Sequence, residues 1–273
     1  MSEIAGAHIV VTGGASGIGR MMAAKLAALG GRITIWDINQ PNLDKTVAEL
    51  NAVSREPVRG FVCDVAQRDV VYRVARETQA AAGPVDILIN NAGVVSGAFL
   101  LDLPDEKIVA TLAINTLSLF WTAKALLPQM VERNRGHIVT IASAAGLIGV
   151  PKLSDYATSK WGAVGFDESL RAELKQIAPA VQTTVICPFF IDTGMFAGVK
   201  TRFSWLLPIL KEDTVAARVV KAIQRNHRRV WMPPFVYTIP PMRLLPIRAF
   251  DWLAHFFGVN ASMDEFKGRG AGS

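Results

Sequence analysis

An α/β fold, a single-domain doubly wound parallel sheet flanked by helices, is what the 273-residue sequence predicts, on three observations. Short runs rich in Val and Ile alternate with longer segments of helical spacing. The runs are continuously apolar, as in strands buried on both faces of a parallel sheet. No internal repeat, low-complexity block or Ser/Gly linker divides the chain. With 51% hydrophobic and 19% charged residues it has the apolar surface for a sizeable core.

The first run, 8–12, leads into a Gly-rich turn and a helix over 18–29 that stops at Gly30 and Gly31, which makes one βα unit. Further strands are predicted over 33–37, 58–63, 86–90, 137–142 and 181–187. After Pro188 the pattern changes. Residues 189–210 are aromatic and aliphatic with little alternation, which suits a substrate lid beyond the carboxyl ends of the strands. A helix over 211–226 and a last strand over 230–232 follow. The core for cofactor binding and catalysis is expected within 1–195, and a lid with a C-terminal substrate or interface segment within 196–273 of the same domain.

The turn Thr12-Gly13-Gly14-Ala15-Ser16-Gly17-Ile18-Gly19 joins the first strand to the first helix. There, missing side chains let a pyrophosphate approach backbone N–H groups at the helix N-terminus. Glycines also end strands and cap helices, so the context gives the motif its force: a Rossmann-type sheet binds a dinucleotide at this turn. The second strand ends at Asp37, where a carboxylate accepts hydrogen bonds from ribose hydroxyls and repels a 2′-phosphate. Ser16 and Ile38 supply no cation to reverse that choice, so NAD is favoured over NADP. Arg20 has two readings, a phosphate contact or an exposed helix position. Asp64 has two readings as well, a partner for the adenine edge or an N-cap for the next helix. Ala92 and Gly93 allow close backbone approach, and Asn91 either faces the cofactor or braces neighbouring strands.

Tyr156-Ala157-Thr158-Ser159-Lys160 sets a phenol and an ammonium four residues apart, on one face of a helix. A tyrosine titrates near ~10, and a neighbouring cation favours its phenolate. Lys160 is expected to supply that cation and to hold the nicotinamide ribose. Ser143, at the end of the fifth strand, can hydrogen-bond a reacting oxygen. No G-x-S-x-G elbow surrounds it, and His8, His137, His227 and His255 form neither a triad base nor a metal spacing.

The Gly-rich turn, Asn90 to Gly93, Asn115, Ser143 and the Tyr-x-x-x-Lys pair occur in the order found in the short-chain dehydrogenase/reductase family, and over about the first 195 residues the chain resembles that family. The resemblance implies that Tyr156 is the acid/base, Ser143 positions the substrate oxygen, Lys160 binds ribose and tunes the phenol, and Asn115 holds a water in a proton relay. It adds Val65, Pro188, Ile191 and Thr193 to the cofactor contacts, with Thr193 at the carboxamide. Pro188-Phe189 departs from the Pro-Gly common in the family, and Phe189 has two readings, an apolar wall beside the nicotinamide in the cofactor site or core packing. The stretches 189–196, Asn115 to Ser118 and Ser262 to Arg269 are similar to the retinol and hydroxysteroid dehydrogenase subgroup. That likeness implies a hydrophobic alcohol oxidised to an aldehyde or ketone, in a pocket of Ser143, Ala145, Phe189, Phe190, Met195 and Phe196. Phe203, Trp205, Leu206 and Leu207 can extend its apolar wall, or pack as core. The alternatives are a nucleotide-sensing protein without turnover and a peripheral lipid-surface protein.

The net charge of +6 is dispersed except at Arg225, His227, Arg228 and Arg229, which read as a solvated helix end; no aromatic-basic motif accompanies them, and no nucleic acid partner is expected. Cys63 and Cys187 sit in apolar runs as inert buried thiols, and no metal is expected. The opening residues, Met1 to Ala7, lack the basic and apolar regions of a secretion signal, so a reducing cytoplasm is the expected compartment. Prolines and charges interrupt 231–257, which excludes a simple spanning helix. That segment packs on the core, covers a second subunit or rests on a membrane surface. The family resemblance implies a homodimer or homotetramer.

Overall fold

The computed structural model describes residues 2–268. Met1 and Arg269, each part of a motif read above, lie outside the described residues. Seven strands, β1 (His8–Thr12), β2 (Arg32–Asp37), β3 (Arg59–Val62), β4 (Ile87–Asn90), β5 (His137–Ile141), β6 (Gln182–Pro188) and β7 (Arg229–Met232), form one sheet in the order β3-β2-β1-β4-β5-β6-β7. Every pairing is parallel. The strand order reverses direction between β1 and β4, and a crevice opens there at the carboxyl ends.

The inner strands bury side chains on both faces of the sheet, which is why their runs read as continuously apolar. Ile9 and Val11 of β1 pack with Met22 and Leu26 of α1 (Gly17–Ala28) and Val215 and Val219 of α7 (Glu212–Arg225). Val10, between them, joins the opposite layer with Val74 of α3 (Arg68–Ala82), Leu126 and Met130 of α5 (Ser118–Glu132) and Leu174 of α6 (Ser154–Ile177). Between β2 and β3 runs α2 (Gln40–Asn51), whose first turn is capped by the Asn39 side chain accepting the Asn42 N–H at 2.9 Å. α7 ends on Asn226 in the left-handed conformation, so the basic cluster begins at a helix terminus. Arg229 there pairs with Glu168.

α4 (Asp105–Leu112) runs into α5 through a π-helical turn, Ala113–Leu117. The continuous stretch Asp105–Glu132 is the one helix among the described residues long and apolar enough to cross a membrane. Its fully buried Leu126 and Met130 pack into the fold.

The segment expected to form a lid, 189–210, is built mostly of turns and is fastened by main-chain bonds. Leu210 N–H donates to Phe190 O (2.8 Å), Asp192 N–H to Leu210 O (2.9 Å), and Lys200 N–H to Ser262 O (3.2 Å). From the other side Lys267 N–H donates to Ala197 O at 2.8 Å. Two short helices, α8 (Ile239–Met242) and α9 (Ile247–Phe256), complete the cover.

Two buried titratable groups give the fold opposing pH responses. Burial pushes the Asp167 carboxyl on α6 up to about 7, with Arg171 drawing it back only in part. Burial also brings the His137 imidazole down to about 4. Between ~4 and about 7 the folded state keeps a proton on Asp167 that the unfolded chain releases, so this group removes stability as pH rises. His137 acts oppositely, since the unfolded chain gains its proton below ~6.5 and the folded state only near 4. Asp167→Asn removes the first contribution alone. Urea unfolding at pH 5 and pH 8 is expected to show the variant gaining roughly 2–3 kcal/mol on wild type between the two, at ~1.4 kcal/mol per unit; a constant difference would refute the assignment.

Candidate active site

The nucleotide end of the crevice is held by residues that leave no room for larger ones. Thr12 Oγ1 accepts the N–H groups of Asn91 (3.0 Å) and Ala92 (3.1 Å), and Asn91 Nδ2 donates to Thr12 O (2.9 Å) and Gly13 O (3.0 Å). Asn91 is thus the brace between β1 and β4, and it also lines the crevice. Gly13 has φ of 61°, and a Cβ there would stand 2.9 Å from Ala92 Cα. A Cβ on Gly19 would stand 2.1 Å from Gly13 O, so the first turn of α1 can approach β1 only through glycine. No acidic residue occupies that turn, which leaves the positive helix pole open to an anion.

Asp37 is oriented by two backbone donors: Oδ2 accepts from Ala15 N–H and Oδ1 from Asn39 N–H, both at 3.0 Å. Ile38 beside it is largely exposed. Asp64 Oδ1 accepts from Ala66 N–H at 3.0 Å and so braces its own turn, while Gln67 occupies the cap position of α3. The N-cap reading of Asp64 is thereby corrected. Arg20 pairs with Glu49 at 2.5 Å on the surface and stays off the crevice wall, which corrects the phosphate reading.

One cavity of about 320 Å³ brings together Gly13, Ser16, Gly17, Ile18, Gly19, Asp37, Ile38, Asp64, Val65, Asn91, Ala92, Gly93, Ser143, Ala145, Tyr156, Lys160, Pro188, Phe189, Ile191 and Thr193. Tyr156 and Lys160 share one face of α6, with Lys160 Nζ 5.7 Å from the phenol ring centroid. Lys160 Nζ donates to Ile141 O at 2.9 Å. Burial pushes the Tyr156 phenol up to about 12, with a hydrogen bond from Ser143 pulling the other way, and brings the Lys160 ammonium down to about 8. The influence that opposes burial is thus the Ser143 hydrogen bond, and the phenol stands above its ordinary value where a lowering was expected. Ser143 caps a short turn by accepting Ala145 N–H at 3.1 Å.

Asn115 stands one layer behind the cavity wall, within the π-helical turn. Its Nδ2 donates to Val94 O (3.0 Å) and Ser159 Oγ (2.9 Å), and its Oδ1 accepts Val94 N–H (2.9 Å). Ser159 in turn donates to Tyr156 O at 2.7 Å. The Asn115 side chain thus ties the loop after β4 to the helix that carries the phenol. The sequence reading missed Ser159, although it lies inside the quoted Tyr-to-Lys motif, three residues from Tyr156.

The half of the cavity beyond Tyr156 is walled by Phe189, Phe190, Met195, Phe196 and Leu207. Tyr156 and Phe196 meet edge to face with centroids 5.8 Å apart. Phe203, Trp205 and Leu206 do not line it: Phe203 packs on Phe256 and Phe257, and Trp205 is 80% exposed. Short turns direct them outward. In their place Ile148, Leu153, Val236, Ile239, Met242 and Phe257 close the far wall. Those residues carry no short motif; only the fold assembles them.

The chain matches the short chain dehydrogenase family model over residues 7–202. It is 40% identical over 269 residues to epidermal retinol dehydrogenase 2 of Mus musculus, covering 98% of this chain and 87% of that one. It is 37% identical over 287 residues to retinol dehydrogenase 10-B of Danio rerio, covering 97% and 85%. Among solved structures it resembles a short chain dehydrogenase/reductase from Burkholderia phymatum in complex with NAD, with a TM-score of 0.81 and 28% identity over 89% of this chain and 95% of that one. A metagenomic short-chain oxidoreductase in complex with NADP aligns with a TM-score of 0.71 and 29% identity over 85% and 98%.

Proposed function

This chain belongs to the short-chain dehydrogenase family and is an oxidoreductase, and from that premise we propose that it uses NAD to oxidise a hydrophobic alcohol reversibly to an aldehyde or ketone. The observation that carries the reading is the Asp37 carboxylate, held by two backbone donors at one end of a cavity whose other end holds Tyr156 among aromatic side chains. The glycine turn fits a pyrophosphate, because Gly13, Ser16 and Gly17 line the cavity at the N-terminus of α1 and no acidic side chain occupies its first turn. When bound, the nicotinamide supplies the two-electron redox chemistry. Gly13, Ser16, Gly17, Ile18 and Gly19 would hold the phosphates, Asp37 the adenosine ribose, and Asp64 and Val65 the adenine. Ala92 and Gly93 would border the sugars, and Pro188, Phe189, Ile191 and Thr193 the nicotinamide end.

In oxidation, Tyr156 would pass its own proton to the relay through Lys160 and Asn115 as its oxygen takes the alcohol proton, while Ser143 hydrogen-bonds the reacting oxygen. With one N–H of Lys160 given to Ile141 O, two donors remain for ribose hydroxyls. Asn115 Oδ1 retains a lone pair for a relay water beyond its bond from Val94. The elevated phenol matches the reverse direction directly, where Tyr156 donates its proton to the nascent alkoxide.

The test is a panel of retinoid, steroid and aryl alcohols assayed with NAD and with NADP. Turnover of apolar alcohols with NAD is expected, at least ~100-fold more efficient than with NADP if Asp37 repels the 2′-phosphate. Nucleotide binding without turnover across the panel would favour a sensing protein.

Two surfaces extend this reading. Leu117 of the π-helical turn, Phe120 of α5 and Trp161 of α6 are more than 40% exposed, apolar surface that a second copy of the chain would cover in a homodimer or homotetramer. Leu244, Ile247 and Trp252, at or before α9, are exposed among Arg243 and Arg248, a composition suited to peripheral contact with an anionic membrane from the cytoplasmic side. Sedimentation with and without phosphatidylserine vesicles reads both: an oligomer mass alone, and co-pelleting lost in Trp252→Glu. A monomer would reject the first, and failure to pellet the second.

A further inference from the structure

Asp155 precedes the phenol in the first turn of α6, is 5% exposed, and was not singled out by any motif. A single oxygen of its carboxylate, Oδ2, accepts two hydroxyl hydrogen bonds: from Ser96 at 2.6 Å and from Thr111 at 2.8 Å. The two hydroxyls themselves stand 3.2 Å apart. Oδ1 is buried and has no hydrogen-bond partner. A buried carboxylate with one unpartnered oxygen is destabilising, so its presence calls for a compensating role.

The donors identify that role. Thr111 lies on α4 four residues before Asn115, one helical turn from the π-helical turn that holds it. Ser96 lies two residues after Val94, which exchanges two hydrogen bonds with Asn115. Asp155 therefore grips both segments that fix Asn115, and does so from the residue next to Tyr156. Opposite it, the Asn115–Ser159–Tyr156 O chain makes the second link between the same elements. The nucleotide turn at β1 and α1 takes no part in this arrangement.

We infer that Asp155 is a positioning residue that locks the start of α6 to α4 and to the loop after β4, holding Tyr156 in register with Asn115 for proton transfer. Its kinetic part rests on the oxidoreductase reading of Tyr156; its structural part does not. The two functions of a carboxylate, accepting bonds and carrying charge, are separable here. An amide oxygen at the Oδ2 position accepts both hydroxyls, so Asp155→Asn preserves the lock, whereas Asp155→Ala removes it.

Hydrogen exchange and steady-state kinetics on wild type, Asp155→Ala and Asp155→Asn test this. In Asp155→Ala, exchange is expected to rise at least tenfold in 94–97 and 111–116 and to stay unchanged in 8–19 and 33–37. On an alcohol that wild type turns over, kcat is expected to fall about 10- to 100-fold with nucleotide Kd within twofold. Asp155→Asn is expected to restore both to within about threefold of wild type. Unchanged exchange in 94–97, or a rise spread evenly through the chain, overturns the inference, as does an Asn variant as impaired as the Ala variant. Absence of wild-type turnover counts against the oxidoreductase reading alone, because the exchange comparison still decides whether the lock exists.

Discussion

Tyr156→Phe is expected to lower kcat for alcohol oxidation by about 10³-fold while leaving nucleotide Kd within twofold. Positioned acid/base groups contribute ~10²–10⁴-fold, or roughly 3–5 kcal/mol of barrier. The substitution removes one hydroxyl and keeps the ring, which is buried against Phe196, so packing survives. Lys160 keeps its bond to Ile141 O, and the glycine turn is untouched. Stopped-flow turnover together with a fluorescence titration of the nucleotide separates the two effects. Retention of more than a tenth of wild-type kcat would remove Tyr156 from the proton-transfer step.

The second large effect concerns Asp37. Two like charges ~4 Å apart at an effective dielectric of about 20 repel by about 4 kcal/mol, close to three decades in selectivity. Asp37→Ala removes that repulsion and the ribose acceptor together. The ratio of kcat/KM with NAD to kcat/KM with NADP is expected to fall at least ~100-fold, through loss on NAD and gain on NADP. An unchanged ratio would transfer selectivity to another residue. In the variant the Asn39 N–H meets solvent, whereas the N–H of Ala15, a buried residue, loses its partner. The selectivity ratio still reads the lost charge, since a displaced turn acts on both nucleotides alike.

The sheet was legible because its inner strands are apolar on both faces. The predicted 8–12 coincides with β1, and 33–37, 137–142 and 211–226 differ from β2, β5 and α7 by one residue at an end or at both ends. Strand 58–63 shrinks to Arg59–Val62: Val58 N–H donates to the Asn51 side chain instead of β2, and the bond from Cys63 N–H to Asp37 O closes the ladder. The nucleotide end was equally legible: steric exclusion at Gly13 and Gly19 demands glycine, and demand of that kind leaves a mark in the sequence. The substrate end was not. Phe203 and Trp205 look the same as Phe196 in composition, and only the path of the turns decides which side chain faces inward. The phenol's raised titration escaped the sequence for a similar reason, because burial is a property of the assembled site while the Tyr-to-Lys spacing is local. Asp155 was hidden by adjacency: its partners are 59 and 44 positions away, and no short pattern joins them.

The bonds that fasten the lid run from amide to carbonyl: Leu210 to Phe190, Asp192 to Leu210, Lys200 to Ser262, Lys267 to Ala197. Any non-proline residue offers those groups. The clasp over the aromatic chamber therefore makes its demand on backbone shape, most sharply at Gly198, where φ is 88° and a Cβ would stand 2.0 Å from Glu265 O, and the chamber's lining can be exchanged for another chemistry without loosening it. Specificity on this frame is an interchangeable upholstery over a fixed hinge of peptide groups.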